Sequence, residues 1–201
     1  MSRPTAASRL AVGGVVLFWI GTLVAGALAP GYSARVDYIS SLAGRGSEVA
    51  VLGIATLTVI GLAHLAAAAA LRGVIGVLLA LAGVAGLTVA AFRTGCPGGA
   101  AGCGFETTDA PPDVADVVHG LAVVGYEVAL LGAMLVVAVR LARPRPVAAV
   151  LTAVAAVVSV VLMLQIGGVD NGWWQRGWLV VNTGWLVVLV TALRVESDVG
   201  S

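Results

Sequence analysis

Six long apolar runs constrain the fold of this chain more than any other feature of its sequence. Each run has about 17–24 residues, and a helix of that length, at 1.5 Å per residue, spans a hydrocarbon core of roughly 30 Å. Because lipid offers no hydrogen-bond partner to an exposed main chain, the runs must be helices, and their lack of alternation argues against a barrel. The sequence therefore predicts an all-α, polytopic membrane bundle, in a single domain of residues 1–201, with transmembrane helices at about 10–29, 49–71, 73–92, 117–139, 147–169 and 177–193.

The composition points to the same class of protein. Hydrophobic residues make up 60% of the chain and charged residues only 10%, whereas a soluble globular chain carries about a quarter charged residues. The net charge is +1 and every basic residue is arginine, which argues against a nucleic-acid surface. Arg3 and Arg9 precede the first apolar run, as in a signal peptide. That run is longer than the roughly 7–15 residues of a signal core, so we expect a retained helix.

The arginines are divided unevenly between the two sides that six crossings would create. Loops 30–48 and 93–116 and the segment before the sixth run hold Arg35, Arg45, Arg93 and Arg176. The termini and the two other joints hold Arg3, Arg9, Arg72, Arg140, Arg143, Arg145 and Arg194. By the positive-inside bias, we expect both termini to be cytoplasmic and the two large loops to lie outside.

The chain has two cysteines, Cys96 and Cys103, and both fall in the second predicted outer loop. The compartment there is oxidising, and a disulfide would close a ring of eight residues and contribute about 2.5 kcal/mol. A metal site with His119 or Asp109 is an alternative, but the spacing matches no zinc pattern. We therefore expect a structural disulfide and no metal, with free thiols as the other alternative.

Three short motifs occur in an order that resembles a known family. They are "APGYSARVDYISSLAGRGSEVAVLG" after the first run, "DVVHGLA" at the start of the fourth and "WWQRGW" opening the sixth. Together they resemble the bacterial six-helix membrane proteins of domain-of-unknown-function family 998. The motif residues are Gly31, Tyr32, Asp37, Tyr38, Ser40, Leu42, His119, Gln175, Arg176 and Trp185.

The chain departs from the family pattern at two places. Ala43 stands where the family usually has glycine, and the longer cysteine loop replaces the usual Phe-Pro-x-Asp step after the third helix. The resemblance implies a fold and a membrane location, here the inner membrane of a bacterial cell crossed several times. It implies no established activity.

Glu127 is the only acidic residue inside an apolar run. It lies about 15 Å below the outer end of the fourth helix, near the midplane, where an isolated carboxylate costs at least about 2.5 kcal/mol. We therefore expect an uncharged acid that hydrogen-bonds to another helix, for which the available partners are Ser159, Thr22 and Asn182. The alternative is a proton relay or a general acid, because burial favours the protonated form of a carboxyl group.

Two histidines, His64 and His119, raise the possibility of a haem. His119 lies about 4–5 Å below the outer boundary and His64 about 24 Å below it, whereas ligands to one iron must meet at one depth. We therefore expect no haem and no other cofactor. His64, which lies among alanines, is expected to be a neutral hydrogen-bond partner between helices rather than part of a proton path.

Polar residues at the outer ends of the helices lie at nearly one depth and could converge on a single polar cup. They are Asp37, Tyr38, Ser40, Ser41, His119, Gln165, Gln175 and Arg176. In a structural interpretation, Asp37 and Arg176 form an ion pair and Ser40 caps a short interfacial helix. In a functional interpretation, the cup holds the polar head of an amphiphile whose tail lies between helices. Arg176 would then hold an anionic group.

Three classes of function follow. The chain binds or moves a lipid or other amphiphile, with ligand-binding candidates Tyr38, Ser40, Gln165, Gln175 and Arg176. Alternatively, it is an intramembrane enzyme on a lipid-like substrate, with acid/base candidates His119, Asp37 and Glu127. In the third class it is a structural or accessory subunit. The expected partners are membrane lipids or another hydrophobic small molecule, and no nucleic acid.

Overall fold

The computed structural model describes residues 5–95, 113–167 and 170–192, and within them all regular structure is helical. Six α-helices follow one another: α1 (Ala6–Leu28), α2 (Ala50–Ala70), α3 (Gly73–Ala91), α4 (Val114–Leu141), α5 (Pro146–Leu164) and α6 (Asn171–Thr191). One 3₁₀ turn, Ser40–Ala43, interrupts the segment between α1 and α2. Cys96 and Cys103 lie outside the described residues, so their disulfide stays a prediction.

The predicted all-helical class is confirmed, and the helices α1 to α5 are long and apolar enough to cross a membrane. The sixth helix differs from the others. It has 21 residues but carries Gln175, Arg176 and Asn182 within them, which lowers its apolar content. It also begins at Asn171, six residues before the predicted start, because its first turns are polar and aromatic rather than apolar. A membrane crossing by α6 and the orientation of the termini remain predictions.

The helices form a closed ring in which each helix packs against the next, and α6 returns to α1. Small residues let α2 and α3 approach each other closely. A Cβ atom built on Gly61 of α2 would lie 2.9 Å from the main-chain nitrogen of Leu87 in α3. The Cα of Gly61 would lie 3.2 Å from a Cβ on Gly86 of α3. The α2–α3 contact is therefore close to backbone against backbone.

The segment 29–49 lies across one end of this ring. Its 3₁₀ turn presses on α2, because a Cβ on Gly53 would lie only 2.5 Å from the main-chain nitrogen of Ala43. Leu42 and Ala43 are accordingly buried. Ser40 is the first residue of the turn, and its side chain makes no capping hydrogen bond, so its predicted role as a helix cap is wrong. The segment is thus seated on the bundle through backbone contacts, and it forms a roof over the ring.

Candidate functional site

A small, partly open cavity of about 50 Å³ lies under this roof, inside the ring of helices. Its walls come from α1, α2, α3, α4 and α6 and are almost wholly apolar. The polar side chains of Ser40, in the roof, and Gln175, on α6, also line it, and two aromatic rings, Tyr126 and Trp178, complete the lining. The apolar part includes Phe18, Leu57, Val89, Val123 and Leu179. The lining of the cavity is therefore mostly apolar, with a few polar groups.

One half of the roof is held by the first turns of α6. Gln175 Oε1 accepts a hydrogen bond from the main-chain N–H of Ile39 at 2.6 Å. Arg176 donates to the carbonyl oxygens of Asp37 at 3.0 Å and Gly172 at 2.9 Å, and also to the hydroxyl of Tyr32. We call these contacts between segment 29–49 and α6 the α6 clamp. It fixes the roof at the Ile39 end of the cavity.

The predicted ion pair between Asp37 and Arg176 does not form, although the two residues are in contact. The guanidinium donates to the main-chain carbonyl of Asp37, and the Asp37 carboxylate instead accepts from the N–H of Ser33 at 2.7 Å. Burial raises the pKa of Tyr32, whose hydroxyl therefore stays a neutral acceptor, while the nearby Arg176 charge acts in the opposite direction. All three oxygens that Arg176 meets are thus uncharged.

The other half of the roof is held by residues at the ends of α3 and α4. Arg93 donates to the carbonyl oxygens of Ala43 at 2.7 Å and Gly44 at 2.8 Å. Arg45 pairs with Asp113 at 2.5 Å, and this hydrogen bond lowers the pKa of the Asp113 carboxyl. Asp113 is also the N-cap of α4, so the ion pair joins the roof to the start of that helix.

Of the remaining rim residues, His119 and Gln165 do not converge with Gln175 and Arg176. His119 is buried and its Nδ1 lies 2.8 Å from the carbonyl oxygen of Phe92, which ties α4 to the end of α3. Gln165 is exposed after the end of α5 and makes no side-chain hydrogen bond to the described residues. Tyr38 contributes its carbonyl, which accepts from Ser41 Oγ at 2.7 Å. Of the predicted cup, only Ser40 and Gln175 line the cavity.

Glu127 lies in a buried polar cluster between α4, α5 and α6. Its Oε1 lies 2.7 Å from Ser159 Oγ, and its Oε2 accepts from Trp178 Nε1 at 2.9 Å and from Asn182 Nδ2 at 3.3 Å. Ser159 and Asn182 are confirmed as interhelical partners, whereas the buried hydroxyl of Thr22 is not one. The contact with Trp178 was not expected. Trp178 and Asn182 are one helical turn apart, so their spacing was the signal that they share a face.

His64 is confirmed as a hydrogen-bond partner between helices. Its Nδ1 lies 2.9 Å from the carbonyl oxygen of Ile60, and its Nε2 lies 3.1 Å from the hydroxyl of Tyr126. If Nδ1 carries the hydrogen for the carbonyl, Nε2 accepts from the tyrosine. His119 is seven residues before Tyr126 on α4, about 10 Å along the helix, so the two histidines do not meet.

Five helices apolar enough to cross a membrane indicate a multi-pass membrane protein. The chain belongs to the family described as "Protein of unknown function (DUF998)", which it matches over residues 12–192. This confirms the resemblance seen in its motifs. No curated protein and no solved structure matches the chain. The apolar helices therefore indicate the membrane location, and the family leaves the activity to be inferred from the site.

We predict that Glu127→Gln keeps the stability of the protein and that Glu127→Leu lowers it. Ser159 Oγ also lies 3.1 Å from Asn182 Oδ1. The contacts between Glu127 and Ser159, Ser159 and Asn182, and Asn182 and Glu127 therefore form a ring, and this ring needs three hydrogens. The serine and the amide supply two, and a hydrogen on the residue at position 127 supplies the third, as glutamine would. Leucine would leave buried donors unpaired, at about 1–3 kcal/mol for each donor. Melting temperatures in detergent would test this, and equal losses in both variants would contradict it.

The α6 clamp yields a second prediction, based on a close approach at Gly172. A Cβ there would lie 2.6 Å from the carbonyl oxygen of Asp37 and would clash with that of Ala34. Gly172→Ala should therefore loosen the roof and speed tryptic cleavage after Arg35 by at least about fivefold, since overpacking costs about 1–3 kcal/mol. The matched control is Gly184→Ala in the same helix, where a Cβ meets nothing within 4 Å. Equal cleavage rates in the two variants would count against the clamp.

Proposed function

We propose that this protein binds a membrane amphiphile whose apolar chain occupies the cavity under segment 29–49. The observation that carries the proposal is the cavity itself, whose walls come from five helices and are almost wholly apolar. Ligand pockets for small apolar molecules have this character, with a few placed polar groups that fix the orientation of the ligand. Ser40 and Gln175 are such groups. Membrane lipids are the amphiphiles available at this position.

The arrangement of the acid/base candidates favours binding over catalysis. Asp37 belongs to the α6 clamp, His119 is tied to the end of α3, and Glu127 lies in the buried cluster with Ser159 and Asn182. None of the three lines the cavity. Since a general acid or base must come within hydrogen-bond reach of the substrate, a ligand in the cavity would contact none of these groups. The hydrogen bonds of Asp37, His119 and Glu127 join parts of the fold to one another, which is the role that these residues would have in a structural or accessory subunit.

The orientation that we propose places both termini in the cytoplasm of a bacterial cell and the roof outside its inner membrane. The charges support it. At the roof end, Arg35 pairs with Asp170, Arg45 with Asp113, and Arg93 and Arg176 donate to carbonyl oxygens. At the opposite end, the exposed arginines form no ion pair with the described residues: Arg9, Arg72, Arg140, Arg143 and Arg145. The unpaired positive charge is therefore concentrated at the end with the termini.

The topology can be tested with an epitope tag at each terminus and antibody labelling of intact and permeabilised cells. We expect both tags to be labelled only after permeabilisation. Labelling of both tags in intact cells would reverse the orientation. Labelling of only one would mean an odd number of crossings, and would contradict a crossing by α6.

Cavity-filling substitutions test the binding function. Val123 lines the cavity, whereas its neighbour Val124 is exposed on the outer face of α4. We predict that Val123→Phe reduces the lipid retained on purification by about tenfold, because the added ring occupies the space of the chain. Val124→Phe should retain wild-type amounts. The measurement is native mass spectrometry of the purified protein, with melting temperatures as a check on folding.

A second pair of substitutions guards against a folding defect in the first. Leu179 lines the cavity and Val180, beside it on α6, is exposed. Leu179→Phe should reduce retained lipid and Val180→Phe should not. A wild-type protein that carries no lipid and takes none up, or loss of lipid in both variants of a pair, would contradict the proposed function.

A further inference from the structure

The side-chain amide of Gln175 forms a hydrogen bond through its oxygen atom but, among the described residues, none through its nitrogen atom. Its Oε1 accepts from the main-chain N–H of Ile39, and because that group can only donate, the oxygen and nitrogen ends of the amide are fixed. The Nε2 end forms no hydrogen bond to the described residues. The residue is nevertheless only 9% exposed, and it lines the cavity. Nε2 is not one of the fully buried polar atoms that lack a partner, so a ligand or water in the cavity can reach it and supply an acceptor.

Ser40 provides a second free polar group at the same place. It follows Ile39 in the chain, so the hydrogen bond from Ile39 to Gln175 brings Ser40 to the same part of the roof. Its side chain is 8% exposed, lines the cavity, and makes no hydrogen bond to the described residues. A hydroxyl can both donate and accept. The cavity thus contains an amide donor and a hydroxyl that have no partner among the described residues.

Among the described residues that line the cavity, none has a charged side chain. Arg176, which was expected to hold an anion, donates instead to the neutral oxygens of Tyr32, Asp37 and Gly172 in the clamp. A carboxylate or an ammonium group of a ligand in the cavity would therefore lose its hydration without gaining an ion pair, which is strongly unfavourable. An uncharged oxygen would lose much less and would match the free donors.

We propose that Gln175 Nε2 and Ser40 Oγ form a polar subsite for an uncharged oxygen group of the bound amphiphile, such as an alcohol or an ester. The proposal rests on the proposed function and specifies its ligand class. The apolar chain of the ligand lies along the cavity walls. Its hydroxyl or carbonyl oxygen accepts from the amide of Gln175, and the hydroxyl of Ser40 completes the contact.

Three probes with the same chain length separate the subsite from the cavity. They are 1-dodecanol, dodecane and dodecanoate at pH 8, offered to delipidated protein in a steroid-based detergent and counted by native mass spectrometry. We expect the wild-type protein to bind 1-dodecanol about tenfold more tightly than either of the others. This comparison needs no variant, so it stands even if a substitution impairs folding.

Two substitutions then assign the preference to its residues. Ser40→Ala removes the hydroxyl, and Gln175→Met removes the amide hydrogens at a similar side-chain length, together with the oxygen that accepts from Ile39. Each should reduce the preference for 1-dodecanol over dodecane by about fivefold, as expected for the loss of one hydrogen bond. The matched control is Ser41→Ala, because Ser41 is also buried but bonds to the carbonyl of Tyr38 and does not line the cavity.

The outcomes distinguish failure of the subsite from failure of the proposed function. Equal binding of 1-dodecanol and dodecane, abolished by Val123→Phe, would leave the cavity as a binding site and overturn the subsite. A preference for dodecanoate would overturn it in favour of an anion. Binding of no probe at all would overturn the subsite and the proposed function together. Loss of the preference in Ser41→Ala to the same extent as in Ser40→Ala would also overturn the assignment.

Discussion

Lipid offers no hydrogen-bond partner, so each polar side chain at bilayer depth has to find one inside the bundle. This constraint explains why the least apolar helix, α6, carries so many of the contacts. It supplies Trp178 and Asn182 to the carboxyl of Glu127, and α5 supplies Ser159. The same rule pairs His64 with Tyr126. The polar residues of α6 are therefore compatible with a membrane crossing, because the bundle rather than the lipid surrounds them.

The buried polar groups and the cavity are parts of one structure. The rings of Tyr126 and Trp178 line the cavity, while their polar atoms belong to the hydrogen bonds with His64 and Glu127. The roof is likewise held by hydrogen bonds, through Gln175 on one side and Arg93 on the other. Since both boundaries depend on directional contacts, the shape of the cavity is fixed by polar groups although its surface is apolar.

Apolar run length was sufficient to predict six helices, because only a helix satisfies its own main chain in lipid. Residue type and depth also indicated Ser159 and Asn182 as partners of Glu127, but they indicated Thr22 as well, which is not one. The predicted polar cup was only partly right, since helix arithmetic gives the height of a residue but not its direction around the axis. His119 and Gln175 lie near one height, yet His119 meets the end of α3 and Gln165 is exposed. Nor does sequence distinguish an arginine that pairs with a carboxylate from one, like Arg176, that donates to carbonyl oxygens.

The position of α5 shows why the cavity lies where it does. This helix packs on α4 and α6, contributes Ser159 to the polar cluster, and lines no part of the cavity. In the ring, α4 and α6 are separated by α5, and the large side chains of Glu127 and Trp178 bridge the distance between them. Small residues, by contrast, bring α2 and α3 together at Gly61 and Gly86. The bundle is thus close-packed between α2 and α3, whereas long side chains join α4 and α6. Residues of all four helices line the cavity.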